Sequence, residues 1–230
     1  MTEKIGLLCP SDTELAPFLP LIRDSRKSEA AMLEVWEGNI GGIPAAALYS
    51  GVCKVNAAIA AQTLISRFGA TAVINAGVAG GIDPGVGLFD VVVTERCAYH
   101  DVAEDILTEF HPWMPSVWFE SDSRLLAAAR RAAGRAGCPV RFGNTATGEQ
   151  FVTDGGRAAL RKRFAPLSVD METAAAAHVC YVNRVPFLAV RAITDTAEHD
   201  GAENFEQNCE KASGIAAEFV RLLLEELAED

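Results

Sequence analysis

Two short runs in the last third of the chain join apolar segments to carboxylates: Val169-Asp170-Met171-Glu172-Thr173 and Arg191-Ala192-Ile193-Thr194-Asp195. Residues 186–193 read as a buried strand, and residues 167–169 as a shorter one. A carboxylate at the end of a buried strand stands at the mouth of a sheet, where open α/β folds bind their ligands. Each run also has a purely structural reading, in which Glu172 caps the alanine-rich helix that follows and Asp195 opens a turn. Glu14 is a third such acid, in the first helical turn after the apolar segment 5–9. Its bland reading is a solvated acid favoured by the helix dipole. Three acids at the ends of separate strands favour an active site that works by acid–base chemistry.

Other chemistries find less support. Gly77-Val78-Ala79-Gly80-Gly81 follows an apolar segment and brings backbone N–H groups within reach of a ligand, but it does not match GxGxxG, and no GxxxxGK[ST] loop occurs. There is no GxSxG elbow, which disfavours a serine hydrolase. With four histidines and no HExxH or Cys/His pattern, His100-Asp101 and His111 are not expected to bind a metal. His178 reads as a packed or hydrogen-bonded core residue. Phe151, after Gly148-Glu149-Gln150, is either a core aromatic or a ring for a planar ligand.

The elements that must position these residues alternate between strand and helix. Residues 5–9 form a first buried strand ended by Pro10, with Ser11 and Asp12 as caps of a helix running to about Arg23. Residues 32–36 and 45–49 read as strands joined through Gly41-Gly42. A helix over 55–68 precedes a short strand over 72–75, which runs into the glycines, and another strand over 90–94. Residues 121–136 form a helix, 140–147 a strand and 154–164 a short helix. The alanine-rich helix spans 172–181, and the last helix begins near Glu203. Residues 100–119 carry no clean period and contain Pro112, Pro115 and several aromatics, as functional loops and interfaces do. The alternation implies an α/β fold around a twisted sheet, in a single domain over 1–230.

The chain has 230 residues, half of them hydrophobic, and a formal charge of −11. That charge argues against nucleic acid or an anionic membrane as a partner. Six cysteines without a CxxC pair suggest a reduced, cytoplasmic protein. No stretch has the length of a membrane span or the pattern of a signal peptide.

Several segments occur together, in the same order, in one family. They are Ser50-Gly51-Val52-Cys53-Lys54-Val55, Asn75-Ala76-Gly77-Val78-Ala79-Gly80-Gly81, Tyr99-His100-Asp101, and the two acidic runs. The chain resembles the bacterial 5'-methylthioadenosine/S-adenosylhomocysteine nucleosidases of the nucleoside phosphorylase superfamily, over nearly its whole length. The resemblance implies a three-layer α/β/α fold on a mixed, partly barrel-like sheet, a homodimer, and a small-molecule nucleoside substrate without a cofactor. It implies hydrolysis of the bond between adenine N9 and ribose C1', within nucleoside catabolism and methionine salvage. Asp195 then corresponds to the general acid that protonates adenine N7, and Glu14 to the group that activates water. Glu172 corresponds to the ribose-hydroxyl ligand, Met171 lies beneath the sugar, Phe151 stacks on adenine, and the Val152 backbone reads its polar edge. Arg191, Phe205, Val52, Val78, Ala79 and Gly80 match further positions around the substrate.

Bond cleavage builds positive charge on the ribose and negative charge on the base, so a donor at N7 and nearby carboxylates both lower the barrier. General acid catalysis contributes ~10²–10⁴-fold, so Asp195 does not carry the whole rate. As the donor it needs a proton at neutral pH, which burial or neighbouring acids favour. Some positions depart from the family. A methionine is common where this chain has Ser11, and a serine where it has Val78. An ungapped alignment puts Glu104 and Leu107 in the alkylthio pocket wall that the neighbouring subunit supplies, where valine and phenylalanine are common. Three alternatives follow: a phosphorylase that uses phosphate in place of water, a nucleosidase for another 5'-modified nucleoside such as a futalosine-type compound, and a non-catalytic nucleoside-binding protein.

Overall fold

A computed structural model describes residues 3–152, 154–196 and 201–229; the side chains of 154 and 201–205 are not among what it describes. Ten strands form one mixed sheet. β1 (Ile5–Cys9) lies between β4 (Ile43–Tyr49) and β5 (Ala72–Gly81), parallel to both. β5 pairs in parallel with β10 (Phe187–Asp195), which runs antiparallel to β6 (Val91–Tyr99). β6 continues to β8 (Val140–Thr147) and then β9 (Ser168–Asp170), and β9 returns to β5. Strands β5, β10, β6, β8 and β9 therefore close on one another, while β4, β3 (Leu33–Ile40) and β2 (Arg23–Ala30) extend the sheet to an open edge. β7 (Phe119–Glu120) pairs with β6 outside this path.

Alternation along the strands explains the continuous apolar runs. Ile5, Leu7 and Cys9 face one core with Ile74 and Val190, while Leu8 faces the other with Val73 and Ala189. Successive side chains point to opposite faces, so a strand covered on both sides must be apolar throughout. The first core is covered by α4 (Ser123–Ala133) and α7 (Gly201–Ala228). The second is covered by α2 (Lys54–Phe68) and α6 (Thr173–Asn183), whose alanines allow close approach to the sheet. The result is the expected three-layer arrangement. α5 (Asp154–Phe164) packs Leu160 and Phe164 on a smaller cluster, and α3 (Ile106–Glu109) is a single turn in the 100–119 connection. His178 packs as expected, stacked on Phe119 with ring centroids 5.2 Å apart.

The helix expected from residue 12 to about 23 is not formed. α1 covers only Asp12–Leu15, a 3-10 segment follows over Ala16–Leu21, and β2 begins at Arg23. Pro17 and Pro20 remove two amide donors and the α-helical hydrogen bonds they would make. β2 escaped the sequence reading because its eight residues, RDSRKSEA, are almost all exposed and show no hydrophobic alternation. β5 and β6 run further than expected, to Gly81 and Tyr99, because tertiary pairing carries them past their apolar segments.

Candidate active site

The parallel strands β1, β4, β5 and β10 end on one side of the sheet, and a cavity of about 250 Å³ opens there. Its wall is mostly apolar, with Val52, Val78, Phe151 and Met171 among the residues lining it. Four carboxylates also line it: Glu14, Asp170, Glu172 and Asp195. All four are buried.

Glu14 lies on α1, directly after β1. Its Oε1 accepts the Val78 N–H at 2.8 Å, and its Oε2 accepts the Ser11 hydroxyl at 2.6 Å. The space for Oε1 exists because residue 77 is glycine: a Cβ there would lie 2.3 Å from that oxygen and 2.9 Å from Arg191 Nη1. Burial pushes the Glu14 carboxyl above its usual range, opposed by Arg191 and by the bonds from Ser11 and Val78.

Glu172 occupies the N-cap position of α6 yet makes no capping bond. Asp170 does that work: its Oδ1 accepts the amides of Glu172 and Thr173 at 3.3 and 3.1 Å and the Thr147 hydroxyl at 2.7 Å. The capping reading thus belongs to Asp170, and Glu172 is released to face the cavity. Its Oε1 accepts the Cys53 N–H at 2.9 Å. Burial, reinforced by Asp170 and opposed by Arg191, pushes its carboxyl up to about 7.

Arg191 lies fully buried beneath the cavity and binds these acids together. It stands 3.0 Å from Asp170, 3.6 Å from Glu172 and 3.9 Å from Glu14, and donates to Asn75 Oδ1 at 2.6 Å. One guanidinium against three carboxylates leaves excess negative charge, which favours a cluster that retains a proton.

Asp195 is the last residue of β10 and remains paired with the sheet, opposite Gly80 of β5, so it does not open a turn. Oδ1 accepts the Thr194 hydroxyl at 3.0 Å, and Oδ2 accepts Arg157 Nη2 at 2.7 Å. Arg157, on α5, also donates to the carbonyl of Gly81. Nothing in the sequence around Arg157 signals this contact, which joins positions 38 residues apart.

The structure brings Glu14, Val52, Val78, Ala79, Gly80, Phe151, Val152, Met171, Glu172 and Asp195 to one cavity, with Arg191 below it. Phe205 lies outside the residues whose side chains are described. Sequence reasoning missed Asp170, Gln150 and Pro10, which also line the cavity, and Arg157. Glu104 is exposed and paired with Arg163, and Leu107 is buried in this chain's own core, so the ungapped pairing does not show Leu107 free to face a neighbour. Among the described residues, no cluster of three or more His, Cys, Asp or Glu is arranged to hold a metal, and no helix is long and apolar enough to cross a membrane.

The phosphorylase superfamily model matches residues 4–225. The 5'-methylthioadenosine/S-adenosylhomocysteine nucleosidase of Actinobacillus succinogenes is 34% identical over 227 residues, covering 94% of this chain and 99% of that one. The Neisseria meningitidis enzyme of the same name, solved with methylthio-immucillin-A, superposes with a TM-score of 0.88 at 30% identity, covering 97% of this chain and 99% of that one. The futalosine hydrolase of Helicobacter pylori superposes with a TM-score of 0.89 at 28% identity, over 98% of this chain and 99% of its own. The chain therefore belongs to the phosphorylase superfamily and, within it, to the 5'-methylthioadenosine/S-adenosylhomocysteine nucleosidase family.

Proposed function

We propose that this chain is an enzyme that hydrolyses the N9–C1' bond of 5'-methylthioadenosine, S-adenosylhomocysteine or a related adenine nucleoside. The observation that carries this reading is the placement of the acids along β5. Glu14 meets the strand at Gly77 and Val78, and Asp195 meets it at Gly80. Three strand residues span roughly 10 Å. That separation sets the base at the Asp195 end and the sugar at the Glu14 and Glu172 end of one apolar cavity.

In the reaction, water attacks C1' as the C1'–N9 bond breaks and its electron pair leaves with the base. Asp195 donates a proton to N7, and Glu14 takes one from the attacking water, so free adenine and the ribosyl product result. Glu172 holds the ribose hydroxyls, Met171 supports the sugar, and Phe151 and Val152 receive the purine. In this role Asp195 must exchange partners and take up a proton: Arg157 releases Oδ2, the carboxylate is protonated as the nucleoside binds, and that proton is the one passed to N7. Arg191 keeps the acids together without reaching the substrate.

Hydrolysis is favoured over phosphorolysis. Among the described residues no lysine or arginine lines the cavity, and a phosphate dianion would meet four carboxylates. The likeness to a futalosine hydrolase supports a second reading, in which the same chemistry acts on a nucleoside with a larger polar 5' group. The test is adenine release from 5'-methylthioadenosine with and without phosphate. Release without phosphate supports the nucleosidase, and strict phosphate dependence overturns it. Release only from a futalosine-type nucleoside selects the second reading.

A homodimer is proposed as the working form. Val55 and Ile59 on α2, Tyr181 and Val182 on α6, and Phe110 and Trp113 in the 100–119 connection are large apolar side chains left exposed. The helices α2 and α6 pack side by side, and apolar side chains left exposed on both support an interface there. All six cysteines are free thiols, which supports the cytoplasm as the compartment, and the likeness to the nucleosidases supports a place in nucleoside catabolism and methionine salvage.

A further inference from the structure

Ser11 stands three residues before Glu14, at the point where β1 gives way to α1. Its backbone is extended, with φ −133° and ψ 167°, and its Oγ accepts the Glu14 amide at 3.3 Å, so it is the N-cap of the helix. The same oxygen lies 2.6 Å from Glu14 Oε2. A serine hydroxyl has one proton and two lone pairs. Capping uses a lone pair, and the proton is left to be given to the carboxylate. The Ser11 hydroxyl therefore holds Glu14 twice, accepting from the Glu14 backbone N–H and donating to the Glu14 carboxylate.

The two oxygens of Glu14 are held differently. Oε1 is fixed from the sheet by the Val78 amide, with Arg191 at 3.9 Å, and among the described residues Oε2 is fixed by Ser11. An ionised carboxylate offers about four acceptor sites, so each oxygen keeps a lone pair after these bonds. We propose that Ser11 is a positioning residue of the reaction, whose hydroxyl sets the rotation of the Glu14 carboxylate so that a free lone pair receives the proton of the attacking water. The proposal rests on the reading of Glu14 as the water-activating group.

The environment of Glu14 explains why one hydroxyl matters. Arg191 faces it from β10 and is shared with Asp170 and Glu172. Glu172 faces it across the cavity floor with its own carboxyl pushed up to about 7. The Cys9 and Cys209 thiols nearby are pushed up by burial and bring no charge. Burial drives Glu14 toward its neutral form, and a base must be ionised. A hydrogen bond donated to the charged form opposes that drive, and Ser11 supplies one.

Capping and positioning separate experimentally. Glycine is a tolerated N-cap and keeps most of the stability that serine gives there, so Ser11→Gly keeps the helix start and removes the hydroxyl. The measurement is kcat/KM against pH for Ser11→Gly, Ser11→Ala and Ser11→Thr, with thermal unfolding of each and Glu14→Gln as reference. A hydrogen bond to a charged group is worth ~1.5–3 kcal/mol, so Ser11→Gly should lower kcat about tenfold or more. Its acid limb should move to higher pH while its melting temperature stays near that of the parent chain. Ser11→Thr should restore both rate and limb. A Ser11→Gly profile that overlays the parent's, with Glu14→Gln inactive, overturns the positioning role and leaves Glu14 as the base. Full activity in Glu14→Gln overturns the reading of Glu14 itself.

Discussion

The guanidinium of Arg157 donates to Oδ2 of Asp195 at 2.7 Å, with both side chains buried. Removing one member of such a pair strands a buried charge and costs ~3–5 kcal/mol, whereas removing both can be close to neutral. Arg157→Met and Asp195→Asn should each lower the urea midpoint at neutral pH. The double variant should recover part of the loss, giving a coupling of about 2 kcal/mol. Additive losses would show that the pair does not form in solution. In activity assays Asp195→Asn should fall ~10²–10⁴-fold through loss of the acid while still binding adenine. Undiminished turnover would place the donor elsewhere.

Glu172 gives the stability of the chain a pH dependence of definite sign. Its carboxyl is pushed from 4.5 to about 7 by burial, and Glu14 is raised in the same direction. The folded chain then holds protons that the unfolded chain has released. The associated stability is fully present below the unfolded value and is lost as pH rises through the folded one. For Glu172 the loss reaches up to about 3 kcal/mol between roughly pH 5 and 7. Denaturation midpoints should decline across that window in the parent chain and stay flatter in Glu172→Gln. Equal slopes in the two would show that Glu172 titrates elsewhere.

Gly77 is required by a close approach. An added Cβ would sit 2.3 Å from Glu14 Oε1 and 2.9 Å from both Arg191 Nη1 and Pro10 Cδ. Overpacking of this kind costs ~1–3 kcal/mol, and displacing the base costs rate in addition. Gly77→Ala should fold with a lower melting temperature and lose at least about tenfold in kcat/KM. By contrast Gly137→Ala, where no atom lies within 4 Å of the added carbon, should leave kcat/KM unchanged.

The exposed apolar side chains on α2 and in the 100–119 connection predict association. The parent chain should sediment as a dimer, and a variant carrying Val55→Asp and Trp113→Asp should sediment as a monomer. A parent chain that stays monomeric at micromolar concentration would overturn the proposed dimer.

Much of this protein is legible locally. Apolar runs mark β1, β4 and β10 because both faces of these strands are covered; Glu14 follows β1 within a few residues, Asp195 ends β10, and Asp170 and Glu172 stand at the end of the short strand β9. What sequence reading lost is what has no local signature. β2 is charged and exposed and is held only by its pairing with β3. The helix expected to reach residue 23 yields to two prolines whose effect is cumulative. Glu172 and Asp170 are separated by one residue, and only the direction of the chain entering α6 decides that Asp170 caps and Glu172 faces the cavity.

By itself the sequence determined the α/β alternation, the three acids and the glycines, because these depend on residue type and short-range periodicity. Only the tertiary structure decided their geometry. The β5–β10 register sets Gly77 beside Arg191 and Gly80 beside Asp195, and α5 carries Arg157 onto an acid 38 positions away. Strand pairing and helix packing join residues distant in the chain, and a buried ion pair depends on where a guanidinium is delivered, which no local pattern records.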